Sequence, residues 1–254
     1  MNKNCGVLFD LDGVFYISNQ AIDGGQKAIN LLRKNDIPIW FLTNTTTKPR
    51  NVICDKLNNL GLEVYKNEIF SASYLGINYL RSIGSPPCHL LIHENIYSEY
   101  AEFEMKNKKP KYVVIGDRGH VWNYDDMNQA FNYLKEGAKL IALHKGRFFQ
   151  TSDSLEIDIG AFVAGLEYSS GKQAISLGKP NPHFFQVALD DMSRKSEEVF
   201  MVGDDIVNDI WGAKNLGIKG VLVRTGKYRN SDLFHPDIKP DFIIDSINYL
   251  EEVF

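Results

Sequence analysis

The segment that most constrains the fold is Gly6-Val7-Leu8-Phe9-Asp10-Leu11-Asp12-Gly13. Three consecutive apolar residues, Val7 to Phe9, leave no solvated face, so the segment reads as a central strand of a parallel sheet covered on both sides. Asp10 closes that strand, Asp12 follows two residues on, and Gly13 permits a sharp turn away. Both acids are thereby expected at the carboxyl edge of the sheet, where open α/β folds bind ligands.

The same pattern of apolar strand followed by polar group recurs along the chain. Ile39-Trp40-Phe41-Leu42 runs into Thr43-Asn44-Thr45-Thr46-Thr47-Lys48-Pro49-Arg50, a loop that suits an anion and reads equally well as a Thr-rich helix cap. Ala174-Ile175-Ser176-Leu177 runs into Gly178-Lys179-Pro180, and Val199-Phe200-Met201-Val202 into Gly203-Asp204-Asp205, with Asp209 close behind. Gly220 to Val223 and Phe242 to Ile244 read as two further strands. Helices are expected over 26–34, from Pro49 through Leu60, over 74–83, through Phe184 to Leu189, through Ile210 to Leu216, and over 247–253 at the end. Residues 15–25 read as a loop or small β-flap.

Gly84-Ser85-Pro86-Pro87 punctuates the chain like a domain junction. Beyond it comes a second α/β series without strand-end acids. Its strands are His89 to Ile92, Tyr112 to Ile115 and Leu140 to Leu143, and its helices are marked by Met127, Ala130, Phe131 and Leu134 and by Phe162, Val163, Leu166 and Tyr168. Between the last strand and the last helix, His144-Lys145-Gly146-Arg147-Phe148-Phe149 opens a polar and aromatic loop reaching Ile159. The expected organisation is a core at 1–85 and 173–254 with an inserted domain at 86–172. A chain of 254 residues is long enough for one large domain and a smaller one.

A formal charge of −4 argues against a nucleic-acid surface. Cys5, Cys54 and Cys88 are odd in number and lack C-x-x-C spacing, which suits a reducing compartment. Met1-Asn2-Lys3-Asn4 leads straight into the first strand, and no run approaches the ~18 apolar residues of a membrane span. A cytoplasmic protein with no nucleic-acid or membrane partner is expected.

In a parallel sheet the strand ends share one edge, so Asp10, Asp12, Thr43, Asn44, Lys179, Asp204, Asp205 and Asp209 can converge there. Carboxylates crowded together raise one another's pKa unless cations balance them, and a hard ion with oxygen ligands, Mg²⁺, is the economical answer. That arrangement suits phosphoryl transfer. The ion and Lys179 neutralise phosphoryl oxygens, Thr43 and Asn44 hold them, strand-fixed Asp10 attacks phosphorus, and Asp12 on the turn exchanges protons with the leaving group and water.

With these residues in view, the sequence resembles the haloacid dehalogenase superfamily of phosphatases over nearly its whole length. The four motifs of that superfamily occur in order as Asp10-Leu11-Asp12-Gly13-Val14, Leu42-Thr43-Asn44, Gly178-Lys179-Pro180, and Gly203-Asp204-Asp205 with Asp209. The resemblance implies an α/β fold, a doubly wound Rossmann-like parallel-sheet core with an inserted α/β cap of the C2 type. It implies a phosphatase in which Asp10 is the nucleophile and Asp12 the acid/base, with Mg²⁺ held by Asp10, the backbone carbonyl of Asp12, and Asp204. It further implies that Thr43, Asn44 and Thr45 grip phosphate and that Lys179 bridges nucleophile and phosphate. Asp209 then orients Lys179 or a metal-bound water, while Asp205 is either a supporting group or a plain helix cap.

The insertion resembles the cap of the subfamily that includes 4-nitrophenylphosphatases. Leu91-Ile92-His93-Glu94, His144-Lys145-Gly146-Arg147-Phe148-Phe149 and Arg224-Thr225-Gly226-Lys227-Tyr228 look like the phospholysine phosphohistidine inorganic pyrophosphate phosphatase group. Ser occurs in that group where this chain has Asp12, so Asp12 argues for ordinary phosphomonoester hydrolysis. Caps of this kind often dimerise, which makes a homodimer through the cap an expectation. His144, Lys145 and Arg147 are the substrate-binding candidates in the cap, because a cationic loop suits an anionic leaving group; the plain alternative is a solvated loop.

Three readings stand beside one another: a Mg²⁺-dependent phosphatase acting on a small phosphorylated metabolite, a phosphoramidate or pyrophosphate hydrolase, and a phosphoryl-accepting signalling module. The inserted domain and Asp12 favour an enzyme over the signalling module. A scaffold that has lost turnover is disfavoured because each catalytic position is filled.

Overall fold

The computed structural model describes residues 5–105, 109–150 and 154–254. Met1 to Asn4, expected to lead into the first strand, and residues 151–153 of the expected loop lie outside the described residues.

Along the chain, β1 (Gly6–Asp10) leads into a hairpin of β2 (Tyr16–Ile17) and β3 (Gln20–Ala21), so the expected flap is a two-stranded antiparallel ribbon. Then come α1 (Gly25–Lys34), β4 (Ile39–Thr43), α2 (Arg50–Asn59), β5 (Ile69–Ser71) and α3 (Ala72–Ser82). The middle of the chain holds β6 (Cys88–Leu91), α4 (Glu94–Tyr100), β7 (Tyr112–Ile115), α5 (Tyr124–Lys135) and β8 (Lys139–Ala142). It continues with the hairpin β9 (Phe148–Gln150) and β10 (Leu155–Ile157), α6 (Gly160–Ser170) and β11 (Ile175–Ser176). The last part is α7 (Pro182–Met192), β12 (Val199–Gly203), a wide π-helical turn (Ile206–Trp211), α8 (Gly212–Lys214), β13 (Lys219–Val223) and β14 (Phe242–Ile244).

The core is a six-stranded sheet in the order β14-β13-β12-β1-β4-β5, and the pairings of β1, β4, β12, β13 and β14 are parallel. Val7, Leu8 and Phe9 are each fully buried although successive side chains leave a strand on opposite faces, so both faces of β1 are covered as its composition requires. One face packs Val7, Phe9, Phe41, Val202 and Val221 with Ala28, Ile29 and Leu32 of α1. Phe9 and Phe15 meet edge to face with centroids 5.1 Å apart, and Phe41 completes the trio 5.5 Å from Phe15.

The cap has its own four-stranded parallel sheet, β11-β8-β7-β6. One face is covered by α3 and α4 through Ile77, Leu80, Ile96 and Tyr100, the other by α5 and α6 through Ala130, Leu134, Val163 and Leu166.

The compact units are 1–43, 50–70 and 179–254 for the core, and 44–49 and 71–178 for the cap. The second unit's long segment runs from 71 to 178, where the punctuation suggests 86 to 172. Helix α3 belongs to the cap, because Ile77 and Leu80 lie in its apolar cluster and the buried Tyr100 hydroxyl donates to the Ser73 carbonyl at 2.6 Å. Gly84–Pro87 is a turn inside the cap. Two further expectations are corrected. The helix through Ile210 opens as a π-helical turn, in which Ile210 N–H reaches Asp205 O at 3.3 Å. The closing helix is a short 3₁₀ segment, Ile247–Glu252, interrupted at Tyr249.

Two substitutions check these cores. Phe41→Ala empties the centre of the aromatic trio and is expected to cost about 3–5 kcal/mol, seen as a lowered urea midpoint. Tyr100→Phe removes the donor to the buried Ser73 carbonyl and is expected to cost about 1–3 kcal/mol in the cap transition.

Candidate active site

The site is built where the strand order reverses. From β1 the chain proceeds to β4 and β5 on one side and later to β12, β13 and β14 on the other. Phe9 is in register with Val202 and Asp10 with Leu42, so Asp10, Thr43 and Asp204 leave three adjacent strand ends at nearly one level. Such a switch point cannot be filled by the sheet itself and leaves a crevice.

Lys179 fills part of it. Its side chain is 3% exposed, and Nζ donates to Asp10 Oδ1 at 2.7 Å, to Asp209 Oδ1 at 2.7 Å and to the Leu42 carbonyl at 3.2 Å. The Lys179–Pro180 peptide is cis. Burial works against its charge, but the two carboxylates outweigh burial and hold its pKa above the ordinary lysine value. Asp209 is fully buried, and burial pushes its carboxyl up to about 7 against the pull of the adjacent ammonium. Its other oxygen accepts the Asp205 N–H at 3.2 Å. A Cβ on Gly203 would run into the Asp209 side chain, so the π-helical turn carries that carboxylate directly against the strand end.

Asp204 is 2% exposed, and two glycines that abut one another press on its Oδ2. Gly13 has φ +84° and Gly226 φ +60°, and a Cβ on either would strike Asp204 Oδ2. That oxygen accepts the Lys227 N–H at 2.6 Å, while the Thr225 hydroxyl donates to the Gly13 carbonyl. Asp204 Oδ1 is buried and has no hydrogen-bond partner among the described residues. Burial, then the charges of Asp10 and Asp209, raise the Asp204 pKa. One oxygen from each of Asp10, Asp204 and Asp209 lies within 4.8 Å of the others. Buried, clustered carboxylates with one oxygen unpaired are a fitting donor set for a hard divalent cation.

Asp12 lies exposed on the turn between β1 and the hairpin. Surrounding protein crowds its carboxyl, and this partial desolvation, followed by the charge on Asp10, holds its pKa above the ordinary range. Asp205 has the cap geometry foreseen as one of its two readings, with Oδ1 accepting from Val207 N at 3.0 Å and Asn208 N at 2.9 Å. Lys227 Nζ also stands 3.5 Å from its Oδ2. Burial would raise the Asp205 pKa, but Lys227 and the Asn208 donors prevail and lower it.

Thr43 is buried at the end of β4, and Asn44 and Thr45 follow it directly in the chain. In the cap, His144 is buried; its Nδ1 accepts the Gly146 N–H at 3.0 Å and its Nε2 lies 3.7 Å from Asp158. Lys145 pairs with both oxygens of Glu167, at 3.0 and 2.8 Å. Arg147 is exposed, and its carbonyl accepts the Asp158 N–H at 3.2 Å. The residues that sequence reasoning left without a role are Thr225, Gly226 and Lys227. Their signal was present, since they follow an apolar strand at the same sheet edge as the acids.

Comparison with known proteins agrees with this arrangement. The model of the family described as haloacid dehalogenase-like hydrolase matches residues 7–106, and one described as HAD-hydrolase-like matches residues 176–250. The phospholysine phosphohistidine inorganic pyrophosphate phosphatase of Rattus norvegicus is 37% identical over 248 residues, covering 95% of this chain and 91% of that one. Haloacid dehalogenase-like hydrolase domain-containing protein 2 of Mus musculus is 37% identical over 226 residues, with 89% and 86% covered. The 4-nitrophenylphosphatase structure from Thermotoga maritima superposes with a TM-score of 0.91 at 26% identity, over 98% of this chain and 97% of that one. With motif order, fold and near full-length relatives in agreement, the chain belongs to the haloacid dehalogenase-like hydrolases and is a phosphatase.

Proposed function

We propose that the chain hydrolyses a small phosphorylated metabolite in a Mg²⁺-dependent reaction that passes through an aspartyl-phosphate on Asp10. The observation that carries this reading is the buried Lys179 ammonium, shared by Asp10 and Asp209 and belonging to the same cluster as the unpaired oxygen of Asp204.

In the first step an Asp10 carboxylate oxygen bonds to phosphorus as the bond to the leaving oxygen breaks, and Asp12 gives that oxygen its proton. The raised pKa of Asp12 suits this role, because it enlarges the protonated fraction near neutral pH. In the second step Asp12 takes a proton from water, which attacks phosphorus and returns Asp10 as carboxylate and phosphate as product. Lys179 offsets the negative charge on Asp10 and the phosphoryl group, and Thr43, Asn44 and Thr45 bind phosphoryl oxygens. Asp209 holds Lys179 in place, while Asp205 supports the turn that carries Asp209. Asp10, the Asp12 carbonyl and Asp204 would hold Mg²⁺, which when bound neutralises the carboxylate cluster and the phosphoryl oxygens.

Asp12 favours phosphomonoesters, since an alkoxide needs the proton it supplies. A second reading, cleavage of phosphoramidate or pyrophosphate bonds, is favoured by the names of the 37% identical relatives. A panel containing phosphomonoesters, phospholysine, phosphohistidine and pyrophosphate separates the two by kcat/KM.

The core carries the chemistry, and the cap selects the substrate, with His144, Lys145 and Arg147 as candidates. A homodimer through the cap belongs to the same reading; exposed Phe148, Leu155 and Ile157 on one face of the β9–β10 hairpin support it, and sedimentation tests it. Cys5, Cys54 and Cys88 are free, which fits the reducing cytoplasm, and no helix among the described residues is long and apolar enough to cross a membrane.

With 4-nitrophenyl phosphate and Mg²⁺, steady turnover is expected, lost at least about 10³-fold in Asp10→Asn. A single stoichiometric burst instead would identify a phosphoryl-accepting module. Asp204→Asn should weaken Mg²⁺ binding by about 10-fold or more, measured by calorimetry. Lys179→Met leaves Asp10 and Asp209 without their cation and should cost about 3–5 kcal/mol of stability when Mg²⁺ is chelated. Saturating Mg²⁺ should recover part of that loss.

A further inference from the structure

Helix α2 brings a second lysine to the turn that carries Asp12. Lys56 Nζ donates to the Ser18 carbonyl at 2.8 Å, at the tip of the β2–β3 hairpin, where Ser18 itself has φ +56°. The same ammonium lies 3.6 Å from the centroid of the Tyr16 ring. Tyr16 is 6% exposed, and its main chain is bound to the turn that carries Asp12: its carbonyl accepts the Gly13 N–H at 2.7 Å, and Asp12 and Tyr16 form a β-bridge. A two-stranded hairpin of two residues per strand is marginal by itself, so its position depends on what grips it from outside. Lys56 grips it through a hydrogen bond and a cation–π contact. The role given to Asp12 requires a fixed turn, since proton transfer depends on distance and alignment to the leaving oxygen.

We propose that Lys56 is a positioning residue of the reaction, pinning the hairpin of residues 16–21 and thereby the turn that presents Asp12. The inference rests on the reading of Asp12 as the general acid. Lys56 acts through Tyr16 and Ser18; its charge also reaches Asp12 and, against burial and the Asp10 charge, lowers that carboxyl's pKa, an effect that would leave amide exchange over 16–22 unchanged and is told apart by it.

The test uses the full chain with Mg²⁺ and two substrates of like shape, 4-nitrophenyl phosphate, whose nitrophenolate departs without a proton, and phenyl phosphate, whose phenolate departs poorly without one. Lys56→Met keeps a side chain of similar length and removes the ammonium that lies over Tyr16. It should lower kcat/KM for phenyl phosphate about 10-fold or more and that for 4-nitrophenyl phosphate by a clearly smaller factor. Amide exchange over 16–22 should quicken, and Lys56→Arg should restore both measures. Equal losses on both substrates, or no loss with unchanged exchange, would overturn the proposal. Asp12→Asn is measured alongside. If it too lacks a preferential loss on phenyl phosphate, the assignment of Asp12 fails and the proposal with it; if it has that loss and Lys56→Met does not, only the role of Lys56 is overturned.

Discussion

An ammonium group enclosed by protein persists only if anions stand against it, because the charge has been taken out of water. Lys179 meets that condition with two carboxylates, Asp10 from the first strand of the chain and Asp209 from the turn after β12. Each of these acids depends on it in return, since Asp209 is fully buried and would otherwise be driven towards its neutral form. The triad therefore ties together β1, the segment that opens α7, and the π-helical turn, all at one end of the core sheet. It also leaves the Asp10 carboxylate held in one place by a hydrogen bond from Lys179.

Around this triad the main chain comes unusually close to itself. Gly13 and Gly226 abut one another and Oδ2 of Asp204, at backbone angles and separations that a side chain would not tolerate. The consequence is that Asp204 presents one oxygen to the Lys227 amide and keeps the other for something else. A loop 23 residues downstream of Asp204 thus decides which of its oxygens is available. The Thr225 hydroxyl on the Gly13 carbonyl links that loop to the turn carrying Asp12, so the Asp204 and Asp12 carboxylates share one backbone support.

The cap is a second doubly wound unit with apolar clusters of its own on both faces of its sheet. The chain passes between core and cap at 43/44, 49/50, 70/71 and 178/179. Two of these crossings fall next to Thr43 and Lys179 in the sequence. His144 and Lys145 stand beside Asp158 and Glu167 within the cap, and the Lys145 ammonium is thus engaged there by a carboxylate.

The local composition of the chain was enough to reveal the strands of the core, because fully buried strands must be continuously apolar and Val7 to Phe9 and Val199 to Val202 have no other use for such runs. It also revealed which strand ends carry Asp10, Asp12, Thr43, Lys179 and Asp204, since in a parallel sheet these ends share one edge. The assignment of α3 to the cap could not be read locally: Ile77 and Leu80 are apolar on any reading, and only their partners Tyr100 and Cys88 decide which core they enter. The same holds for the π-helical turn, which exists because Asp209 is pulled to Lys179, 30 residues before it, and for Thr225 and Lys227, whose partners Gly13 and Asp204 lie far off in the chain. Sequence by itself fixed the elements and the chemistry available at their ends, as those follow from residue type and period. Tertiary structure alone chose the pairings, because a hydrogen bond between distant residues leaves no trace in the local pattern of either.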